Sequence, residues 1–410
     1  MRPSLHARIH GAGPTGALTA LALAQAGWRV SLHDPLSPEA LQGRERAYAF
    51  THSSRALLER LGLWGDLRPQ LVPFRRLRLQ DMATSRRVSF DPADLNNASA
   101  VGWIGSHRPL MALLLRRLGQ HPAIDLALGV DAPPIPGTEP DLLVAADGPD
   151  SPTRRALRIG QWSHRYAQAC LTVQVEMGGG ADDEAWELLR PEGPFAVLPL
   201  GERRFQLVWS APTARCRQLE ALSGPAFLDR LAGALPDALQ PEALLAQPRS
   251  FPVALQLARR LHRGRAVLVG ESAHRCHPVG GQGLNLCWRD VAMLHQLAER
   301  AAQGRLHPRR LAAAYARRRW PDLLLTLLAT DLLVRLFSNR QPLLLPLRSL
   351  AFGVLSRFGW SRALALQVMT QGPCRLGRTL PPWRDGDQQF SPAPALSGHD
   401  ALPAPSARPE

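Results

Sequence analysis

Over the first third of the chain, short apolar runs bounded by glycine alternate with longer alanine- and leucine-rich runs. That pattern predicts strands buried on both faces and helices packed against them. Residues 5–10 read as a strand, 17–25 as a helix stopped by Gly27, and 28–33 as a second strand ending at Asp34. Ser53 or Ser54 is placed to cap a helix that runs to Leu61 and stops at Gly62. Residues 75–90 alternate as two strands, 91–100 form a polar loop, and Arg108 opens an amphipathic helix. A proline-rich stretch, 132–140, precedes a strand that ends at Asp147 and Gly148. From 166 to 212 the spacing is that of strands, with a Gly/Asp-rich break at 178–183. A helical piece follows over 225–245, then a strand-like FPVALQLARRL. Residues 266–269 form a short buried strand, which runs into a glycine-dense loop and a long helix beginning near Leu284. Beyond it lie one helix or two over 309–337, interrupted by Pro321, and a second apolar segment at 342–360. The Pro-, Ala- and Ser-rich tail, 381–410, is expected to be disordered.

Helix–strand alternation followed by a run of strands predicts an α/β fold: a Rossmann-like dinucleotide-binding domain, an inserted, mostly antiparallel β domain and C-terminal helices. The first domain takes in 1–70, 106–159 and 256–300, and the insert takes in 71–105 and 160–255. The helical region covers 301–380. A length of 410 residues accommodates this number of units.

Charge adds a preference for anions. The net charge is +15, and every one of the 49 cationic side chains is arginine. The excess favours phosphate groups or an acidic membrane surface as partners. Nucleic acid is not expected, because the arginines are spread along the chain without a recognition motif or aromatic ladder. Five scattered cysteines predict a reducing compartment without a disulfide framework. The N-terminus does not read as a signal peptide, and no run of 18 apolar residues predicts an ordinary membrane span. The closest approach, 323–337, is broken by Asp331 and Arg335. The expected location is cytoplasmic, with the inner membrane face as a candidate peripheral site.

Three motifs carry chemistry. GAGPTG places Gly11, Gly13 and Gly16 between the first strand and the first helix. Gly11 makes the turn, Gly13 admits a pyrophosphate, and Gly16 lets helix and sheet pack closely. Asp34 ends the second strand, where a carboxylate accepts from a ribose hydroxyl. The second motif is Asp147–Gly148 with Ser151 and Arg154. The third, GESAHRCHPVGGQGLNLCWRD, brings Gly280, Gly281 and Gly283 to a helix start. There, backbone N–H groups and the helix dipole converge on an anion or an electron-rich ring. His274, Cys276, His277 and Cys287 match no common zinc spacing, and no metal site is expected.

Together the three motifs resemble the class A FAD-dependent aromatic monooxygenases. Within them the chain is most similar to the UbiH-type ubiquinone-biosynthesis hydroxylases, through ERAYAF, HPVGGQGLNL with RDV, and TDLLVRLFSN. The resemblance spans roughly residues 5–375. It implies that the first domain binds FAD and the insert binds substrate. It implies Gly11, Gly13, Gly16 and Asp34 at the pyrophosphate and ribose, with Arg46 and Arg108 as further cofactor contacts. Asp147 and Gly148 lie near the pyrophosphate and the path of NAD(P)H, the implied reductant. Gly270, Glu271, Gly280, Gly281, Gly283, Leu284 and Asn285 hold the ribityl chain and flavin ring. Pro278, Gly281 and Gln282 form the ring environment of catalysis, and no general base is evident. The implied reaction hydroxylates the ring of a polyprenylated phenol or quinone precursor with O2, through a C4a-hydroperoxyflavin. A lipid-soluble aromatic substrate and O2 are therefore the expected partners, with a membrane surface and a quinone-biosynthesis complex as candidates. One departure stands out: the family has Gly-Asp where this chain has Gly270–Glu271. Alternative readings on the same motifs are a flavin-dependent reductase of isoprenoid chains and a non-catalytic, membrane-docked flavoprotein.

Overall fold

Five parallel strands carry the first motif. In a computed structural model that describes residues 5–96, 98–130 and 139–375, the sheet order is His262–Arg263, Ala266–Leu268, Leu142–Ala145, His6–His10, Arg29–Asp34 and Ile124–Leu128. Only the two-residue edge strand His262–Arg263 runs antiparallel. Ile9 lies between Leu32 and Val144 in register, and all three are buried. The expected tail, 381–410, and residues 132–138 of the proline-rich stretch lie outside the described residues.

The first helix packs against the sheet. Pro14–Gln25 begins at Gly13 and packs on the long helix Gln282–Ala302. Trp28 Nε1 donates to Ala298 O at 3.1 Å, which fastens the end of the first βα unit to that helix.

A nine-stranded sheet forms the second layer, ordered His274–Arg275, Arg249–Ala258, Gln161–Gly178, Arg204–Pro212, Gly193–Gly201, Glu184–Arg190, Arg76–Asp81 and Arg86–Phe90. Gln240–Leu244 pairs separately with the end of Gln161–Gly178. Neighbours are antiparallel except Glu184–Arg190 with Arg76–Asp81. Alternation separates its faces. One face, with Trp186, Leu188, Val197, Leu207 and Trp209, packs on helices Thr213–Glu220 and Gly224–Ala232. The other presents Ala185, Leu189 and Leu198 toward Phe337, Phe352 and Leu366 of the C-terminal helices. A small antiparallel sheet of Ala47–Phe50, Gly102–Ser106 and Leu71–Phe74 completes the fold, so the segment 71–105 contributes to two sheets.

Several elements differ from the sequence reading. The helix expected over 225–245 ends at Ala232, and Gln240–Leu244 is a strand. Gly233 ends the helix, and the exposed edge of Val175–Gly178 supplies the backbone partners that draw the segment into the sheet. Thr51, not Ser53 or Ser54, precedes the helix His52–Arg60, because the Thr51 and Ser54 hydroxyls both donate to Asn285 Oδ1. Pro308–Phe337 is one helix that runs through Pro321. Its buried Arg319 and Asp322 are held by ion pairs to Asp290 and Arg289, and this anchoring outweighs the one backbone bond that proline removes. The segment after Pro342 is two helices, Leu345–Arg357 and Gly359–Gln371.

Candidate active site

A single cavity of about 1420 Å³ joins the two large sheets. One end is built on the motifs. Gly11, Gly13, Asp34, Arg46, Asp147, Gly148 and Glu271 line it, as do Pro278, Gly280, Gly281, Gln282, Gly283 and Leu284. Gly16, Gly270 and Asn285 are not among the lining residues, and Arg108 is exposed away from the cavity.

The glycines do different work. A Cβ on Gly11 would stand 2.3 Å from Ala146 O, and one on Gly16 would stand 1.8 Å from Gly11 O. These two glycines let backbone pack on backbone. At Gly13 and Gly283 a Cβ would meet nothing within 4 Å, so both face open space. Each stands at the start of a long helix, Pro14–Gln25 or Gln282–Ala302, and neither helix has a side-chain cap. Two sets of first-turn N–H groups are thus available at one cavity. Gly280 and Gly281 have φ of 66° and 62°, the left-handed backbone that turns the loop into the second helix.

Acids flank these donors. Asp34 accepts from Ala12 N at 2.7 Å and from Leu36 N at 2.8 Å, which fixes its carboxylate at the mouth of the first loop. Glu271 lines the cavity and accepts no hydrogen bond among the described residues, so both its oxygens remain available. It lies within electrostatic reach of Arg46. Arg46 Nε donates to Tyr48 Oη at 2.9 Å, Tyr48 Oη meets His107 Nδ1 at 2.8 Å, and His107 Nε2 meets Leu41 O at 2.8 Å. A carbonyl only accepts, so His107 donates from Nε2 and receives the Tyr48 hydroxyl at Nδ1. Asp147 accepts from Ser151 Oγ and from Thr153 N, so this pair caps the next turn while the carboxylate borders the cavity.

The third motif is braced from behind. Buried Asn285 accepts at Oδ1 from Thr51 N, Thr51 Oγ1 and Ser54 Oγ, and donates from Nδ2 to Ala49 O and Gly281 O. Its amide ties the glycine loop to the strand Ala47–Phe50. Asp290 receives Gly270 N at 2.8 Å, His274 Nε2 at 2.7 Å and Arg319 Nε at 2.7 Å. Burial pushes its carboxyl upward, but His274 and Arg319 overcome that and hold it down to about 2. His274 therefore serves this brace, while His277 contacts Gln168 at 3.3 Å. Among the described residues, no group of three or more His, Cys, Asp or Glu is arranged to hold a metal ion.

These residues fit FAD. Open glycines under two uncapped helix starts suit a pyrophosphate and the electron-rich edge of the flavin ring, and the strand-end carboxylate of Asp34 suits a ribose. The FAD binding domain family matches residues 137–321. The chain is 33% identical over 392 residues to ubiquinone hydroxylase UbiL of Rhodospirillum rubrum, covering 91% of each protein. It is 30% identical over 382 residues to the 3-demethoxyubiquinol 3-hydroxylase of Escherichia coli, covering 88% of this chain and 96% of that one. The chain belongs to the ubiquinone-biosynthesis hydroxylase family. As a member of it, the protein is an FAD-dependent monooxygenase. Its fold is also that of HpxO from Klebsiella pneumoniae, solved with FAD and uric acid, with a TM-score of 0.70 at 18% identity over 91% of this chain and 99% of that one.

The other end of the hydroxylase cavity is apolar. Phe74, Leu77, Leu79, Phe90, Leu198 and Val208 line it from the strands, and Leu333, Leu366 and Met369 from the C-terminal helices. Polar residues interrupt this wall, among them Thr172 and Thr370 and the buried pair Glu187 and Gln206. Sequence reasoning passed over both. The available signal was a lone acid between Trp186 and Leu188 in a strand, at a position that alternation assigns to the same face as Ala185 and Leu189.

Proposed function

We propose that this monooxygenase hydroxylates the aromatic ring of a polyprenylated phenol or quinone precursor of ubiquinone-type biosynthesis, with NAD(P)H as electron donor. Overall, a ring C–H, O2, NAD(P)H and a proton give a ring C–OH, water and NAD(P)+. The observation that carries this reading is the single cavity, polar and glycine-lined at one end and apolar at the other. A hydrophobic tail gains about 25 cal/mol for each Å² it buries along such a wall, while the ring reaches the polar end.

Bound FAD supplies the relay of electrons to O2 and the delivery of oxygen to the ring. The chain's own residues bind and orient. Gly11, Gly13 and the start of Pro14–Gln25 receive the pyrophosphate, and Asp34 and Glu271 receive cofactor hydroxyls. Arg46 supplies positive charge beside them. The N–H groups following Gly281 would stabilise negative charge on the ring, and Pro278, Gly281 and Gln282, which line the cavity, would border it. Gln282 Nε2, which donates to Gly280 O and Met369 O, joins this loop to the last helix. In this division of labour, 1–70, 106–159 and 256–300 hold the cofactor, and 71–105 and 160–255 hold the substrate.

We further propose a cytoplasmic protein that meets its substrate at the inner membrane face. No described helix is long and apolar enough to cross a membrane. Leu324, Leu328 and Leu332 are exposed along one side of Pro308–Phe337, and Leu343 and Trp360 are 89% and 66% exposed nearby in sequence. Arg357 is exposed beside them, whereas Arg348 is fully buried and donates to Leu336 O and Asn339 Oδ1. The same helices line the apolar end of the cavity, which supports entry of a lipid-soluble substrate there.

The test is twofold. Purified protein with added FAD should show flavin absorbance, and a deletion strain should accumulate a prenylated precursor that the wild-type gene clears. Absence of flavin binding, or an unchanged quinone profile, would overturn the reading. Co-sedimentation with anionic vesicles, weakened in Leu343→Glu, tests the membrane surface.

A further inference from the structure

We infer that Glu187 is a catalytic residue of the hydroxylation, the base that accepts the proton of the substrate's ring hydroxyl; this rests on the hydroxylase reading above. Glu187 sits on the strand Glu184–Arg190, on the face that lines the cavity. Its cross-strand neighbours are Ala196 and Leu79, both of which also line the cavity. Only 8% of it is exposed. Its one hydrogen bond among the described residues comes from Gly280 N, at 3.3 Å to Oε2. A carboxyl with a single neutral donor in an apolar wall destabilises a fold unless something else uses it. Gly280 belongs to the loop that holds the flavin ring, so the other oxygen lies where the ring end of a substrate would rest beside that loop.

The surrounding charges are engaged elsewhere. Arg76 and Arg78 on the adjacent strand pair with Glu184 on the opposite face. Asp81 is bound to Ala83 N and Thr84 Oγ1. Cys170, across the same sheet face, has its thiol pushed up to about 12 by burial and is uncharged. From the loop, His277 is lowered to about 4 by burial and is neutral, and the Arg275 guanidinium is directed to Pro252 O. Glu187 is thus left without a cation. Burial raises its carboxyl to about 7, against the smaller opposing effect of the Gly280 N–H. That value suits a base working near neutrality.

In the step, the phenolic O–H bond breaks, its electron pair stays on oxygen, and the proton moves to the Glu187 carboxylate. The phenolate so formed donates electron density into the ring, at the carbon that receives oxygen. After hydroxylation Glu187 returns the proton to the product oxygen, so the carboxyl ends the turnover as it began.

Glu187→Gln separates this role from a structural one, because the amide oxygen still accepts from Gly280 N. The expected result with 2-farnesylphenol is unchanged FAD affinity and a fall in hydroxylation of about 100-fold or more. The acidic limb of the wild-type pH–rate profile, near pH 7, should vanish. A second measurement needs no variant and no turnover. Wild-type holoenzyme should prefer 2-farnesylphenol to its methyl ether in binding above that pH, and lose the preference below it. An unchanged rate and limb in Glu187→Gln, or a phenol preference independent of pH, would overturn the inference. Absence of product from the wild type would instead sink the hydroxylase reading, and this step with it.

Discussion

Two glycine-rich loops open two long helices onto one cavity, and they are held in opposite ways. At Gly11–Gly16 the fixing is backbone against backbone: Gly11 abuts Ala146 O, and Gly16 abuts Gly11 O. At Gly280–Gly283 the glycines face side chains rather than backbone: a Cβ on Gly281 would stand 3.0 Å from Ala49 Cβ. The nearest atom to a Cβ on Gly280 would be Met369 Cε at 4.0 Å. That loop is fixed by side chains at its back, Asn285 and Asp290, whose partners come from three other segments of the chain. The first loop therefore has one allowed shape, set locally. The second has a shape set by remote contacts, which suits a loop that must accept a ring and sense what lies across the cavity through Gly280 and Glu187.

The strongest test of that contrast is Gly16→Ala against Gly283→Ala. With a Cβ 1.8 Å from Gly11 O, the first variant should yield no stable folded protein, beyond the ~1–3 kcal/mol usual for overpacking. The second should keep its melting temperature and change only FAD affinity. Equal melting temperatures would break the comparison.

Next in size is Asp290→Asn. It leaves buried His274 without its anion and Arg319 with Asp322 alone, and should destabilise by about 3–5 kcal/mol in denaturant titration. The sign with pH follows from the lowered carboxyl. Its contribution is complete above the unfolded value of 3.8 and is lost as pH falls through about 2. The wild type should therefore lose stability over that window, and the variant should not.

Asn285→Ala should cost about 2 kcal/mol or more, because its donors and acceptors are left buried. It should also weaken FAD binding, since the loop loses its tie to Ala49 O. Intact FAD affinity at reduced stability would show that the brace does not position the loop.

Acid should act earlier elsewhere. His52, buried and bonded to Ala100 O, has its ring lowered to about 4 by burial. Its stabilising effect is complete above the unfolded value of 6.5 and is lost as pH falls through 4. His52→Gln should flatten the stability profile between those limits.

The smallest effect is expected at Glu271→Asp. Glu271 makes no hydrogen bond within the described chain, so shortening it should leave stability unchanged and FAD binding at least as tight, read by flavin fluorescence titration. Clearly weaker binding would show that the longer side chain is fitted to this site.

What the sequence determined is what depends on neighbours in the chain. A strand, a glycine turn, a helix and an acid at Asp34 follow one another within 30 residues, and their geometry is fixed by local backbone sterics. The same holds for the strand–loop–helix of the third motif, and the spacing over 166–212 announced strands. The tertiary structure decided what depends on residues meeting from a distance. A run that reads as helix, 240–244, became a strand because an open sheet edge outweighed its propensity. Arg348, a charged residue in an apolar run, is buried because Leu336 O and Asn339 gather around it. Glu187 looked like any acid in a strand until Gly280, 93 residues away, supplied its one hydrogen bond and the opposite wall proved apolar. Spacing along a chain encodes local shape, whereas the ionisation and reach of a buried side chain depend on desolvation and partners that exist only once distant segments have packed.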